Sequence, residues 1–200
     1  MSSNGWLQLI EQNPGHSAWY IERFRSMAAE GRDLDGEARF VDALVPRAAR
    51  ILDAGCGPGR VGGRLVGLGH VVVGVDVDAE LIAAAKDEHP GGTWLTADLA
   101  ELDLAAVDVV DPFDAIVCAG NVMTFLDPST RRDVLERLRA HVAPEGRLAI
   151  GFGAGRGYEF DEFFDDVTAT GWREDLRLSA WDVRPFTASS TFVVAVLAGA

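Results

Sequence analysis

Ile51-Leu-Asp-Ala-Gly55-Cys-Gly57-Pro-Gly59-Arg60 is the stretch on which the fold turns. A short apolar run ends on an acid, breaks into three closely spaced glycines and gives way to a helical pattern from Arg60. Glycine permits φ > 0 and lets a ligand approach the main chain with no Cβ in the way. A turn of this kind, from a first strand into a first helix, is where open parallel sheets bind nucleotides at the carboxyl ends of their strands.

Working outward, short apolar runs alternate with stretches of helical period, the pattern of βαβ units. Strands are expected at Arg50–Ala54, Val71–Val75, Thr93–Thr96, Phe113–Ala119 and Arg147–Phe152. Most are continuously apolar, as suits strands covered on both faces. Asp127-Pro128 opens a helix that sets Val134, Leu138 and Val142 on one face. Arg137, Arg139 and His141 crowd its end, where the helix dipole favours cations, and Pro144-Glu145-Gly146 stops it. A later helix carries Phe160, Phe163, Phe164 and Val167 on one stripe and ends at Gly171. Leu176–Val183 and Thr191–Leu197 leave no room for a crossover helix and are expected to pair antiparallel. Upstream, Ala18–Ala29 and Ala38–Val45 read as helices, with Tyr20, Phe24 and Met27 sharing a face. The fold class is α/β with a doubly wound sheet. No repeat or linker marks a boundary, so residues 1–200 are expected to form a single domain, with 1–45 covering the site.

The glycine turn also discriminates between ligands. A dinucleotide fingerprint, G-x-G-x-x-G, fails here because its sixth position is Arg60, and Pro58 lacks the amide a pyrophosphate would need. Asp53 opposes a phosphate and favours an ammonium, so a cationic, phosphate-free nucleoside suits the loop better. Asp76 ends the second strand, where a carboxylate accepts from both ribose hydroxyls. Asp98 follows the third strand, within reach of an adenine edge. One such acid is easily a turn residue, and Asp78 reads simply as the next N-cap. Three acids at successive strand ends are stronger evidence.

These motifs resemble the class I S-adenosylmethionine (SAM)-dependent methyltransferases over nearly the whole chain, from about Tyr20 to the terminal strand pair. Asp53-Ala-Gly55-Cys-Gly57-Pro-Gly59 is similar to that family's first motif and Gly74-Val-Asp76 to its second. Ala97-Asp98-Leu99 is similar to the adenine motif, and Phe113-Asp-Ala-Ile-Val-Cys-Ala-Gly-Asn121 to the fourth strand. The resemblance implies a Rossmann-like sheet of order 3-2-1-4-5-7-6 with strand 7 antiparallel. It further implies that Asp53 and Gly55 flank the methionine amino group, within a turn that includes Cys56, Gly57 and Gly59. Asp76, with Val77 beside it, would hold the ribose. Asp98 and the Leu99 amide would take adenine, while Ala119 and Gly120 would line the methionyl side. The product would be S-adenosylhomocysteine (SAH).

Composition narrows the partners. Eighteen basic against 31 acidic residues give a net charge of −13, which repels phosphodiester backbones and makes nucleic acid an unfavourable partner. Cys56 and Cys118 form no disulfide or zinc spacing, and strand order would make them neighbours, with reduced, packing roles. The N-terminus, Met1 to Trp6, lacks a signal-peptide pattern, and no apolar run reaches about 18 residues. A cytoplasmic protein with no membrane partner and no metal is the expectation; the oligomeric state is left open.

No residue is designated catalytic, since a sulfonium is already a good leaving group and placement alone supplies much of the acceleration. The expected acceptor is a small molecule, with oxygen, nitrogen, carbon and sulfur all open. His16, Tyr20, Asn121, Arg156 and Tyr158 are its candidate contacts. The last two sit in Gly151-Phe-Gly-Ala-Gly-Arg-Gly-Tyr158, where four of eight residues are glycine. His70 and His141 read as structural. Asn121 is not followed by the Pro-Pro-aromatic motif of amino-directed DNA and protein methyltransferases. A SAM-binding protein without turnover stays open, whereas an NAD(P)-linked oxidoreductase is disfavoured by the failed fingerprint and the absence of Tyr-x-x-x-Lys.

Overall fold

The alternating apolar runs become one seven-stranded sheet in a computed structural model that describes residues 4–199. Three helices come first: α1 (Gly5–Gln12), α2 (His16–Ala29) and α3 (Gly36–Leu44). There follow β1 (Arg50–Ala54), α4 (Arg60–Gly67), β2 (Val71–Asp76), α5 (Ala79–Glu88), β3 (Thr93–Thr96) and β4 (Phe113–Cys118). The chain continues through α6 (Val122–Phe125), α7 (Arg131–His141), β5 (Val142–Gly153), α8 (Phe160–Ala169), β6 (Trp172–Leu178) and β7 (Phe192–Gly199). The strand order is β3-β2-β1-β4-β5-β7-β6, parallel except that β7 runs antiparallel to both its neighbours. The expected order is therefore observed.

Both faces of the sheet are covered, which explains why its central strands carry no alternation. On one side Leu52, Val73, Ile116, Leu148 and Ile150 meet Leu135 and Leu138 of α7 and Phe163 of α8. On the other, Ile51, Val72, Ala115 and Val117 meet Leu65 of α4 and Ile82 of α5. Trp94 of β3 belongs to this second layer. Its indole fills the space that a Cβ at Gly59, Gly62, Gly74 or Gly92 would enter, and its Nε1 donates to the His89 carbonyl at 2.8 Å. Cys56 and Cys118 are both buried free thiols.

Several boundaries differ from the expectation. An additional helix, α1, precedes α2. The helix after Asp127 begins with a 3-10 turn, Pro128–Thr130, and ends at His141, so Val142 opens β5 rather than lying on the helical stripe. Pro144-Glu145-Gly146 falls inside that strand, where its register against β4 shifts. The last pair also moves: β6 ends at Leu178, and the chain turns away through Ser179, whose amide donates to the Arg184 carbonyl at 2.8 Å. Val183, read as strand, is exposed at φ 61°.

Candidate functional site

The parallel strands end at one edge of the sheet, and above that edge lies a cavity of about 550 Å³, a size suited to a small ligand. Its floor is main chain and acid. Gly55 and Cys56 donate their amides to the Val75 carbonyl at 2.8 and 3.0 Å, tying the glycine turn to β2. At Gly55 φ is +78°, and a Cβ there would overlap the Val122 side chain, so glycine is required twice over. Asp76 accepts from the Gly57 amide at 2.8 Å through Oδ2 and from the Asp78 amide at 2.9 Å through Oδ1. A carboxylate has about four lone-pair sites, so these bonds leave Asp76 capacity to accept from a ligand hydroxyl. Burial pushes the Asp76 carboxyl up to about 6. Val77, Asp98, Leu99, Ala119 and Gly120 line the same floor. The Asp98 Oδ1 accepts from Ala100 N at 2.9 Å, which fixes its orientation.

Asp53 sits one layer deeper. Its Oδ2 accepts from the Gly62 amide of α4 at 2.8 Å, and burial pushes its carboxyl up to about 7. It lines a smaller recess behind the turn, together with Cys56, Gly57 and Tyr20. A positive charge is the natural partner for a carboxyl that burial disfavours as an anion. Gly59 is different from the other glycines: a Cβ there would meet His89 and Ala85, so it serves helix packing and does not line the cavity.

The roof is built from the first two helices. His16, Trp19, Tyr20, Arg23 and Phe24 of α2 line the cavity, as does Trp6 of α1. The Trp6 ring packs edge-on against His16, Tyr20 and Phe125, with centroids 5.1, 5.2 and 5.6 Å away. Burial raises the Tyr20 phenol, so Tyr20 is a wall and a hydrogen-bond donor rather than a proton acceptor. Arg60, at the start of α4, forms a bidentate pair with Glu37 of α3 at 2.9 and 2.6 Å, which pins the third helix to the glycine turn.

At the β4–β5 end, Asn121 holds φ 67° and its Oδ1 accepts from the Gly153 amide at 2.9 Å, so this side chain braces the two strand ends. Arg156, on the loop between β5 and α8, lines the cavity. Tyr158 does not. It is fully buried, stacked on Phe152 with centroids 5.7 Å apart, and its hydroxyl donates to Asp166 Oδ2 at 2.7 Å. The Arg131 guanidinium lies 3.9 Å above its ring. Tyr158 anchors the loop and, contrary to the expectation, does not face the cavity as an acceptor contact. His70 pairs with Asp42 at 2.9 Å, and His141 bridges the Arg137 carbonyl and the Leu104 amide, both away from the cavity. Among the described residues no group of three or more His, Cys, Asp or Glu is placed to hold a metal ion, and no helix is long and apolar enough to cross a membrane.

Sequence reasoning missed Trp6, Trp19, Arg23 and Phe125 as cavity walls. Trp19 and Arg23 could have been found, since each lies one position before a member of the Tyr20–Phe24 stripe. Nothing local marks Trp6.

The open faces of Gly57 and Gly120, the acids at successive strand ends and the buried Asp53 fit a cationic nucleoside without phosphates. Residues 51–146 match the family model of a methyltransferase domain. Among solved structures, the chain is similar to a TehB-like SAM-dependent methyltransferase of Corynebacterium glutamicum, at 43% identity and a TM-score of 0.89. That alignment covers 94% of this chain and 100% of the other. Among curated proteins, it is 39% identical over 118 residues to a trans-aconitate 2-methyltransferase of Azoarcus sp., covering 56% of this chain and 43% of that one. It is 29% identical over 126 residues to a dTDP-3-amino-3,6-dideoxy-alpha-D-glucopyranose N,N-dimethyltransferase of Streptomyces fradiae, covering 60% and 48%. The chain spans about half the length of the curated relatives it matches.

Proposed function

The chain belongs to the class I SAM-dependent methyltransferases, and from that premise we propose that it methylates a small anionic molecule held between the N-terminal helices and the β5–α8 loop. The observation that carries the anionic class is Arg156. It lines the cavity beside Asn121, and among the described residues no acid pairs with it. A cavity-lining cation with no acid paired to it among the described residues, in a chain of net charge −13, is a local exception to the surface field. The trans-aconitate named for one relative is an anion of this kind.

When bound, SAM supplies a methyl group activated by its sulfonium. In our reading Asp76 accepts the ribose hydroxyls, Asp98 and the Leu99 amide hold adenine, and Gly55, Ala119 and Gly120 line the methionyl chain. Asp53 faces the ammonium, directly or through water. Trp6, His16 and Tyr20 exclude water from the transfer point and orient the acceptor, and Arg156 holds its anionic group. If the acceptor atom is a carboxylate oxygen, it arrives without a proton and requires no base. That matches the raised phenol of Tyr20. His16 then serves as a wall. The buried thiols suit a reducing compartment, so we place the protein in the cytoplasm.

The test is a panel of small carboxylates, with their neutral esters and a set of small amines, assayed for SAH release. Turnover of carboxylates whose KM rises about tenfold in Arg156→Ala is expected. Turnover confined to neutral acceptors, or indifferent to that substitution, overturns the anionic class.

A further inference from the structure

We propose that Asp78 is a positioning residue that latches the N-terminal helices onto the cofactor floor. The inference rests on the reading that Asp76 holds the ribose. Asp78 is 4% exposed, and its two carboxylate oxygens divide their work. Oδ1 caps α5, accepting from the Glu80 amide at 2.9 Å and the Leu81 amide at 3.4 Å. Oδ2 faces the opposite way and accepts from Trp6 Nε1 at 2.9 Å and Ser17 Oγ at 2.5 Å. An N-cap needs only the first pair. The second pair joins residues 72 and 61 positions away in sequence, one on each of the two roof helices.

The same residue is fastened to the floor. Its own amide donates to Asp76 Oδ1 at 2.9 Å, and the other oxygen of Asp76 holds the Gly57 amide. An unbroken set of hydrogen bonds therefore runs from the glycine turn through both acids to Trp6 and Ser17. The roof end depends on it. None of the residues of α1 is buried, and eight residues make too short a helix to persist alone. The Trp6 indole packs on rings and donates to this carboxylate, and it forms a wall of the cavity. A ligand that orders Asp76 and the turn through Asp78 orders the roof with it, so the acceptor side closes once the cofactor side is filled.

Hydrogen–deuterium exchange of the full chain, with and without SAH, tests this in wild type, Asp78→Asn and Trp6→Phe, with calorimetry of SAH on each. Asn caps a helix as well as Asp does, but its amide nitrogen replaces Oδ2 and cannot accept from the indole. Trp6→Phe removes the N–H together with part of the ring area but keeps an aromatic ring against His16, Tyr20 and Phe125, so it serves if Asp78→Asn does not fold. In wild type, SAH is expected to slow exchange at residues 5–17 about tenfold. Both variants are expected to bind SAH within about threefold of wild type while losing that slowing. A purely structural role would instead raise exchange equally with and without SAH, and that result overturns the latch. So does slowing that persists in both variants, or wild type that protects residues 53–57 and 76–78 but not 5–17. If SAH protects neither segment, the ribose reading fails and the latch with it.

Discussion

The floor and the roof of the cavity are made of different materials. The floor is main chain and buried carboxylate: Gly55 and Gly57 are tied to β2 and Asp76, and Asp53 is tied to α4. These groups are held by main-chain hydrogen bonds to the sheet and to α4. The roof is side chain. Trp19 is 54% exposed, α1 buries no residue, and Arg23 packs over the rings of Trp19 and Phe24. A preorganised floor suits the half of the reaction that never changes, the cofactor. A roof of adaptable aromatic side chains on short helices suits the half that varies among methyltransferases, the acceptor.

The largest effect should come from the floor. Asp76→Ala is expected to weaken SAM binding by roughly 1.5–3 kcal/mol, the scale of hydrogen bonds to a charged group. Calorimetry on a variant shown to be folded checks it, and unchanged affinity would sink the ribose assignment. Next comes the roof. Removing the residues before Ala18 should leave the sheet folded and SAH bound while turnover falls about tenfold, equivalent to roughly 1.4 kcal/mol. Equal losses in melting temperature and turnover would erase the distinction between the two halves.

A smaller effect separates the two floor acids by pH. The folded chain keeps the Asp53 proton until about pH 7, whereas the unfolded chain releases it near 3.8. Between those values the native state binds more protons, so stability falls as pH rises through that window and stays lowered above it. Asp53→Asn removes this penalty. It is expected to melt several degrees above wild type at pH 8, with the gain shrinking toward pH 4, and to bind SAM more weakly. A variant that melts lower at pH 8 would mean that the carboxylate is stabilised by a partner it does not show. The smallest effect concerns the thiols. Burial raises both, so Cys56 and Cys118 should react with a thiol reagent only after unfolding. Fast labelling in the native state at neutral pH would show that the floor opens.

What was legible follows the same division. The five parallel strands and the acids that close three of them are local patterns, set by apolar runs of strand length and by residues at their ends. Asp78 was legible only as a cap, because the bonds that give it a second role come from Trp6 and Ser17, far away in sequence. Tyr158 was misplaced for a related reason. Its glycine-rich loop suggests exposure, but Arg131 and Asp166, from α7 and α8, draw the ring into the core. The overrun of β6 into Val183 reflects a run of strand-forming residues that a turn at Ser179 interrupts. Pattern reports which face an element buries. It does not report which distant partner claims a single polar atom.

Trp94 shows what such sharing means for change over generations. One indole occupies the volume that side chains at positions 59, 62, 74 and 92 would need. No one of those four glycines is free to grow while the tryptophan stands. A lineage that loses the tryptophan frees Gly92 and eases Gly62 and Gly74, which also face Asp53 and Cys56, whereas Gly59 stays confined by His89, Ala85 and a φ of +81°. Drift at this one position of β3 thus sets how much variation its neighbours in β2 and α4 tolerate. Replacing Trp94 with a smaller residue first, and only then substituting alanine at Gly74, is the order in which this part of the protein can be rebuilt.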